Sequence, residues 1–203
     1  DDQLRILSLD DTKPRALLTN AWVRPEAWSP NGEYIAAFTD IRKSECAIQL
    51  VSTTDGSLRK LKSLPQRIPE RLRFSPDGQY LAYSCPVERS SASDVYVIDV
   101  KTATASAVVE HPANDKMLAW SPDGNGLLFS SDRRGSTDVW FLPVSNGRAS
   151  GEPVLLKADA GEIAPIGFTR TGAFYYTISV SGSDLYSASV DFDSGKLMAK
   201  PKQ

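Results

Sequence analysis

The 203 residues carry 23 Lys and Arg against 25 Asp and Glu, a formal charge of −2. The charges are interspersed with no basic stripe, so the phosphate-neutralising surface of a nucleic-acid binder is excluded. Apolar residues make up 41% and include four Trp, and no apolar run approaches the roughly 20 residues that span a bilayer, so a large packed core is expected and membrane insertion is not. Residues 3–9 (Gln-Leu-Arg-Ile-Leu-Ser-Leu) alternate apolar and polar as a half-buried strand does, 10–14 form a turn, and 15–18 give a second short strand. This pair matches the second half of each later unit, so a half-unit over 1–19 is expected. The first whole unit, about 23–64, predicts strands at 25–29, 34–39, 46–52 and 58–62. The second, about 69–110, predicts 71–75, 80–84, 94–99 and 104–109. The third, about 116–157, adds an Asn146-Gly147 turn before its outer strand at 153–156. The fourth, about 164–200, keeps Phe174-Tyr175-Tyr176 and Asp184-Leu185-Tyr186.

One motif orders these units. Ser29-Pro30-Asn31-Gly32, Ser75-Pro76-Asp77-Gly78 and Ser121-Pro122-Asp123-Gly124 each follow an aromatic, and Thr169-Arg170-Thr171-Gly172 is a worn fourth copy. The turn glycines lie 78−32 = 46, 124−78 = 46 and 172−124 = 48 residues apart, and Trp28, Phe74, Trp120 and Phe168 keep that spacing. Proline presets φ and glycine supplies φ > 0, as a hairpin turn needs. Four antiparallel strands per unit, repeated about every 40–45 residues, are the signature of an all-β fold, the β-propeller. Four blades follow an N-terminal half-blade, and the last residues already form the outer strand of blade four, so an incomplete ring and a longer parent chain are expected. Its open ends would expose apolar blade faces and favour self-association. The four aromatics are expected to be buried between blades, and a side chain at Gly78 to cost more than Gly56→Ala.

Ser-Pro-Asp-Gly, a strand ending in Ser130-Ser131-Asp132-Arg133, and then Asp138-Val139-Trp140-Phe141 resemble the WD40-like propeller repeat of the TolB family. The resemblance covers nearly the whole chain. It implies a propeller that binds a protein or peptide partner, and for TolB-like proteins a periplasmic setting. The same repeat also occurs in propellers that accompany prolyl-oligopeptidase-like serine peptidases and in sensor portions of bacterial regulators, where the active domain would lie outside these residues.

No chemistry-bearing motif accompanies the repeat. His111 is the sole histidine and no Gly-x-Ser-x-Gly elbow occurs, so no Ser-His-Asp triad of that pattern can be assembled, and a non-enzyme is expected. Cys46 and Cys85 stand in different units without ligand spacing and read as half-buried thiols, not metal ligands. Asp191-Phe192-Asp193-Ser194-Gly195 lacks the later ligands of a calcium loop and reads as a turn. No cofactor or metal is implied. What remains is one rim, where the loops entering the innermost strands meet those joining second to third strands. Loops positioned on such a scaffold are where binding residues concentrate. Arg24, Arg67, Arg71, His111, Asp115 and Glu162 are the candidate partner-binding residues there, with Arg73 nearest the axis. Glu70 and Lys116 accompany them, as do Arg42, Lys43, Glu88, Arg89, Arg133 and Arg134 from the facing loops.

Overall fold

A computed structural model describes residues 3–10, 12–19, 22–39, 45–65, 67–169, 171–179, 190–191 and 196–197, and every regular element among them is a β-strand. The strands β1 (Gln3–Ile6) and β2 (Arg15–Thr19) pair antiparallel. Next, β3 (Val23–Trp28), β4 (Tyr34–Thr39), β5 (Glu45–Ser52) and β6 (Leu58–Pro65) form a four-stranded meander in chain order. A second meander holds β7 (Glu70–Phe74), β8 (Tyr80–Pro86), β9 (Ser93–Asp99) and β10 (Ala105–Val109). The third runs β11 (Lys116–Trp120), β12 (Gly126–Ser131) and β13 (Asp138–Ser145); the Asn146-Gly147 turn leads into a short β14 (Arg148–Ala149), and β15 (Val154–Lys157) takes the outer edge. Finally β16 (Glu162–Phe168) pairs with β17 (Phe174–Ser179), and β18 (Val190–Asp191) with β19 (Lys196–Leu197). The fold is an incomplete β-propeller. Among the described strands β1 pairs only with β2. Arg42, Lys43, Asp184-Leu185-Tyr186 and residues 192–195 lie outside the described residues.

The core sits between sheets, because each strand sends alternate side chains to opposite faces. Phe38, Ile48 and Leu50 of the first meander meet Leu72, Leu81 and Tyr83 of the second. Val95, Val97 and Val109 of the second meet Trp120, Leu127 and Phe129 of the third. Leu118 and Leu128 continue with Ile163, Phe168 and Phe174 toward the fourth, and Leu17 of β2 joins Ile35 and Val51 of the first.

The three Ser-Pro-x-Gly turns repeat one geometry. Gly32, Gly78 and Gly124 all have φ +74°, and each glycine N–H donates to the carbonyl of its motif serine at 2.9 Å. Each serine Oγ accepts the N–H that opens the next strand, from Tyr34, Tyr80 and Gly126 at 2.9, 2.9 and 3.0 Å. The same hydroxyls donate to Asn31, Asp77 and Asp123 at 2.7, 2.5 and 2.6 Å. The hydrogen-bonding capacity of the motif is thus spent inside the turn, which accounts for its recurrence without invoking a ligand.

The aromatics that precede these turns are not equally buried. Trp120 is 6% exposed; its ring lies 6.5 Å from Tyr80 and its Nε1–H donates to the Arg73 carbonyl at 3.0 Å. Phe74 packs, half-buried, in the cluster that also holds Tyr34, and Phe168 packs beside Phe141. Trp28 departs from the expectation of uniform burial, being 53% exposed. The seam explains it. Each aromatic docks on the sheet before it, and the β1–β2 unit before Trp28 has no aromatic between residues 3 and 19 to play the part of Tyr34 or Tyr80. At the next seam the tyrosine position is Gly126, where a Cβ would overlap the Phe141 ring, so Phe141 fills the space from a different strand.

Gly56 corrects a second expectation. It too has φ +74°, and a Cβ there would overlap the Leu17 carbonyl of β2, whereas one at Gly78 would meet only Pro30 Cδ at 3.3 Å. Arg15 reinforces that seam by donating to the Thr53 and Thr54 carbonyls. The tight site is therefore Gly56, where two units touch backbone to backbone.

Candidate binding rim

The predicted residues separate into an inner cluster, a closed seam and an open groove. In the inner cluster Arg24 on β3 forms an ion pair with Glu26, its Nε 2.9 Å from Oε1, and donates from Nη2 to the Pro69 carbonyl at 3.0 Å, with its guanidinium 4.6 Å from the Phe38 ring centroid. Arg73 on β7 donates from Nη1 to the carbonyls of Leu72 at 2.8 Å and Glu26 at 3.1 Å, and lies 4.0 Å from Glu26 Oε2. Arg71, one turn of the pleat away, has φ 55°, a left-handed conformation that non-glycine residues seldom adopt and that recurs at functional sites. Burial lowers its pKa, and the neighbouring Arg73 charge adds to the effect. Glu26 thus pairs with both Arg24 and Arg73, while Arg71 adds a third guanidinium that feels the charge of Glu70, itself 3.5 Å from Lys116 Nζ. Arg73 carries the cluster's charge to the funnel, whose wall is mostly apolar, with Trp28, Leu118, Ala119, Ile166 and prolines among its residues.

The second and third meanders meet at a closed seam. Asp115 is fully buried and paired with Arg133 Nη2 at 2.9 Å. Arg133 also sits over Phe129 and Trp140, 5.2 and 4.9 Å from their centroids. Burial pushes the Asp115 carboxyl above its ordinary pKa, while hydrogen bonds from Ser131 and Arg133 pull the other way. Asp132 accepts the Asn114 N–H at 2.8 Å, and His111 is spent locally: its N–H donates to Asp94 at 3.4 Å and its Nδ1 accepts the Ala113 N–H at 3.1 Å. Asp115 and Arg133 are therefore spent on each other at the edge of the third meander, which is tied to the second by the Asp115 N–H donating to the Ser93 carbonyl at 2.8 Å and the Met117 N–H to Ser84 Oγ at 2.7 Å. Glu162 is exposed at the start of β16, apart from both groups.

The equivalent place between the first and second meanders is open. Shifting by the repeat of 46 residues maps Asp115 to Pro69, Asn114 to Ile68, Asp132 to Pro86 and Arg133 to Val87 (115, 114, 132 and 133 minus 46). Every side chain that ties the later seam is apolar here. A groove of about 990 Å³ results, floored by Leu64, Pro86 and Val87, with Ile68 53% exposed. Among the described residues Lys62, Arg67 and Arg89 line it together with one acid, Glu88, which reaches Arg67 at 3.3 Å. Arg89 has φ 58°. Beneath, burial raises the Cys85 pKa against the charge and hydrogen bond of Arg67. Lys62 and Ile68 were not singled out from the sequence, because an outer-strand lysine and a loop isoleucine stand out only when the repeats are superposed.

The sequence profile of the TolB beta propeller domain matches residues 2–164. The chain belongs to the TolB β-propeller family. It is 27% identical over 136 residues to dipeptidyl-peptidase 5 of Porphyromonas gingivalis, a match over 60% of this chain and 19% of that protein. The crystal structure of TolB from Acinetobacter baumannii superposes with a TM-score of 0.70 at 22% identity, over 96% of this chain and 47% of that one. A puromycin-hydrolyzing peptidase of Mycobacterium tuberculosis gives a TM-score of 0.65 at 18% identity, over 96% and 34%. The chain spans 16% to 38% of the length of the curated relatives it matches. At these identities the structural likenesses establish the fold alone. Among the described residues no group of three or more His, Cys, Asp or Glu could hold a metal ion, and no helix is long and apolar enough to cross a membrane.

Proposed function

We propose that this TolB-family propeller is a non-catalytic binding module that presents its funnel rim to a protein or peptide partner. The observation that carries the reading is the unbalanced inner cluster, in which Glu26 pairs with Arg24 and Arg73 and Glu70 stands between Arg71 and Lys116, four cations against two carboxylates. A cation surplus at a concave mouth with apolar walls is the usual form of a recognition site, giving orientation from a few polar groups and area from the walls. Arg71 and Arg73 keep donors available, since guanidinium has five N–H groups and the carbonyls of Leu72 and Glu26 engage only Nη1 of Arg73. Ile166, Tyr175 and Ile178 on the last sheet are 70%, 56% and 47% exposed, which supports self-association as a further partner mode.

The likeness to two peptidases favours a second reading, in which the propeller limits access to a serine hydrolase domain encoded outside these residues. Two measurements separate them. Fluorogenic dipeptide substrates incubated with the purified chain should give no turnover above buffer, and turnover that survived repurification would sink the non-catalytic reading. A photo-crosslinkable partner should map to the rim around Arg71 and Arg73; cross-links confined to the outer strands β2 and β15 would remove the rim.

A further inference from the structure

We infer that the open groove between the first and second meanders is a docking site for an extended acidic polypeptide segment that carries apolar side chains. This rests on the binding reading above and gives it a second, chemically distinct contact on the same rim. The argument begins from the repeat. Where Asp115, Asp132 and Arg133 join the linker to the neighbouring loop in the later repeat, Pro69, Pro86 and Val87 have no side chains able to do so, and the exposed Arg67–Glu88 pair at 3.3 Å is the ion pair that spans the groove. The result is a groove of about 990 Å³ with Ile68 half in water.

The lining specifies the occupant. Among the described residues Lys62, Arg67 and Arg89 give three positive charges against the one of Glu88, in a chain whose overall charge is negative. Local charge opposite in sign to the net charge is what steers an oppositely charged partner to one patch. Glu88 lies 3.3 Å from Arg67 and occupies the position that a partner's carboxylate would take. The apolar floor argues against a phosphate backbone, which would leave Ile68, Pro86 and Val87 without a contact of their kind. Alternate residues of an extended segment face opposite ways, so an apolar residue directed to the floor can be flanked by acids that reach the cationic lips.

Fluorescence anisotropy with three labelled decapeptides tests this, one alternating Asp and Leu, one Asp and Ser, and one Lys and Leu, alongside a single-stranded oligonucleotide. The Asp/Leu peptide should bind saturably and more tightly than the other three ligands. Arg67→Ala with Arg89→Ala should weaken it about ten-fold, the effect of losing two charged contacts. Glu88→Gln should tighten it about two- to five-fold by releasing Arg67 from a surface ion pair. Because Glu88 is exposed, that variant stays folded and the test does not hang on a damaged protein. Equal affinity for the Asp/Ser peptide or the oligonucleotide would reduce the site to bulk charge attraction and overturn the inference, as would equal affinity for the Lys/Leu peptide or indifference to all three substitutions. Cross-links from the Asp/Leu peptide to Arg73 and not Ile68 would remove the groove and leave the funnel reading standing, whereas cross-links on β2 or β15 would remove both.

Discussion

Truncating the two repeat tryptophans separately measures how much one sheet gains by docking on the last. Trp120→Ala removes a 6%-exposed ring and its bond to the Arg73 carbonyl, while Trp28→Ala removes a ring already 53% in water. A buried Trp contributes about 150–250 Å² of apolar contact, worth roughly 4–6 kcal/mol at 25 cal/mol/Å² as an upper bound. Leaving the Arg73 carbonyl unpaired adds about 1 kcal/mol; the sum of about 5–7 kcal/mol is an upper bound, and Trp→Ala costs in general run to about 3–5 kcal/mol. Trp28→Ala should cost about half the area term, near 2 kcal/mol. The two variants should therefore differ by about 2–3 kcal/mol, or roughly 4–12 °C in Tm for a chain of this length. Urea titrations followed by far-UV circular dichroism, with the slope checked for constancy, read that difference. Trp120→Phe keeps most of the area and loses the N–H, so it should recover all but about 1–2 kcal/mol. Coincident midpoints for Trp120→Ala and Trp28→Ala would refute the account of one-directional docking.

Gly32→Ala and Gly56→Ala impose the same left-handed strain, about 1–2 kcal/mol, but only the second collides with the Leu17 carbonyl. Gly56→Ala should melt well below Gly32→Ala, and equal melting would show that β2 yields freely. Arg133→Ala leaves Asp115 buried without its cation and should destabilise by about 3–5 kcal/mol, whereas Arg134→Ala, whose side chain is half exposed, should cost under about 1 kcal/mol in the same urea titration. The Ser52 hydroxyl, with Ser57, holds the Asp55 pKa down to about 2. Its folded value lies below the unfolded one, so its contribution to stability is present above about pH 4 and is lost as pH falls toward 2. A carbon-13 titration placing the Asp55 carboxyl in the ordinary range near 3.9 would remove that dependence.

The repeat was readable because glycine spacing and strand alternation are local properties, and Gly32, Gly78 and Gly124 have the backbone those turns require. The rim was readable in part. Arg24, Arg71 and Arg73 are brought together, yet Asp115 was expected at the surface because loop residues usually are, and its burial depends on Arg133 arriving from another loop. Trp28 and Trp120 look alike in sequence and differ in burial because exposure is decided by the preceding sheet, which no window around either residue contains. Gly56 reads as an ordinary turn glycine; only its meeting with Leu17, 39 residues earlier, makes it tight. The groove was invisible one residue at a time, since Pro69, Pro86 and Val87 become informative only against their later counterparts.

The substitution of Gly126 for the tyrosine found at Tyr34 and Tyr80 bears on assembly as well as on packing. Chains built from near-identical units risk joining the wrong neighbours, within one molecule or between two. Here the face that accepts Trp120 presents a tyrosine, and the face beside Phe168 presents a phenylalanine set into a space only glycine leaves. A unit displaced by one position would bring Trp120 against Phe141, or leave Phe168 facing Tyr80, and in each case lose the matched shape. The seams thus act as addresses. They would help a blade meet its proper neighbour, and a chimaera that exchanged the second and third meanders should melt below the parent although every blade in it remained intact.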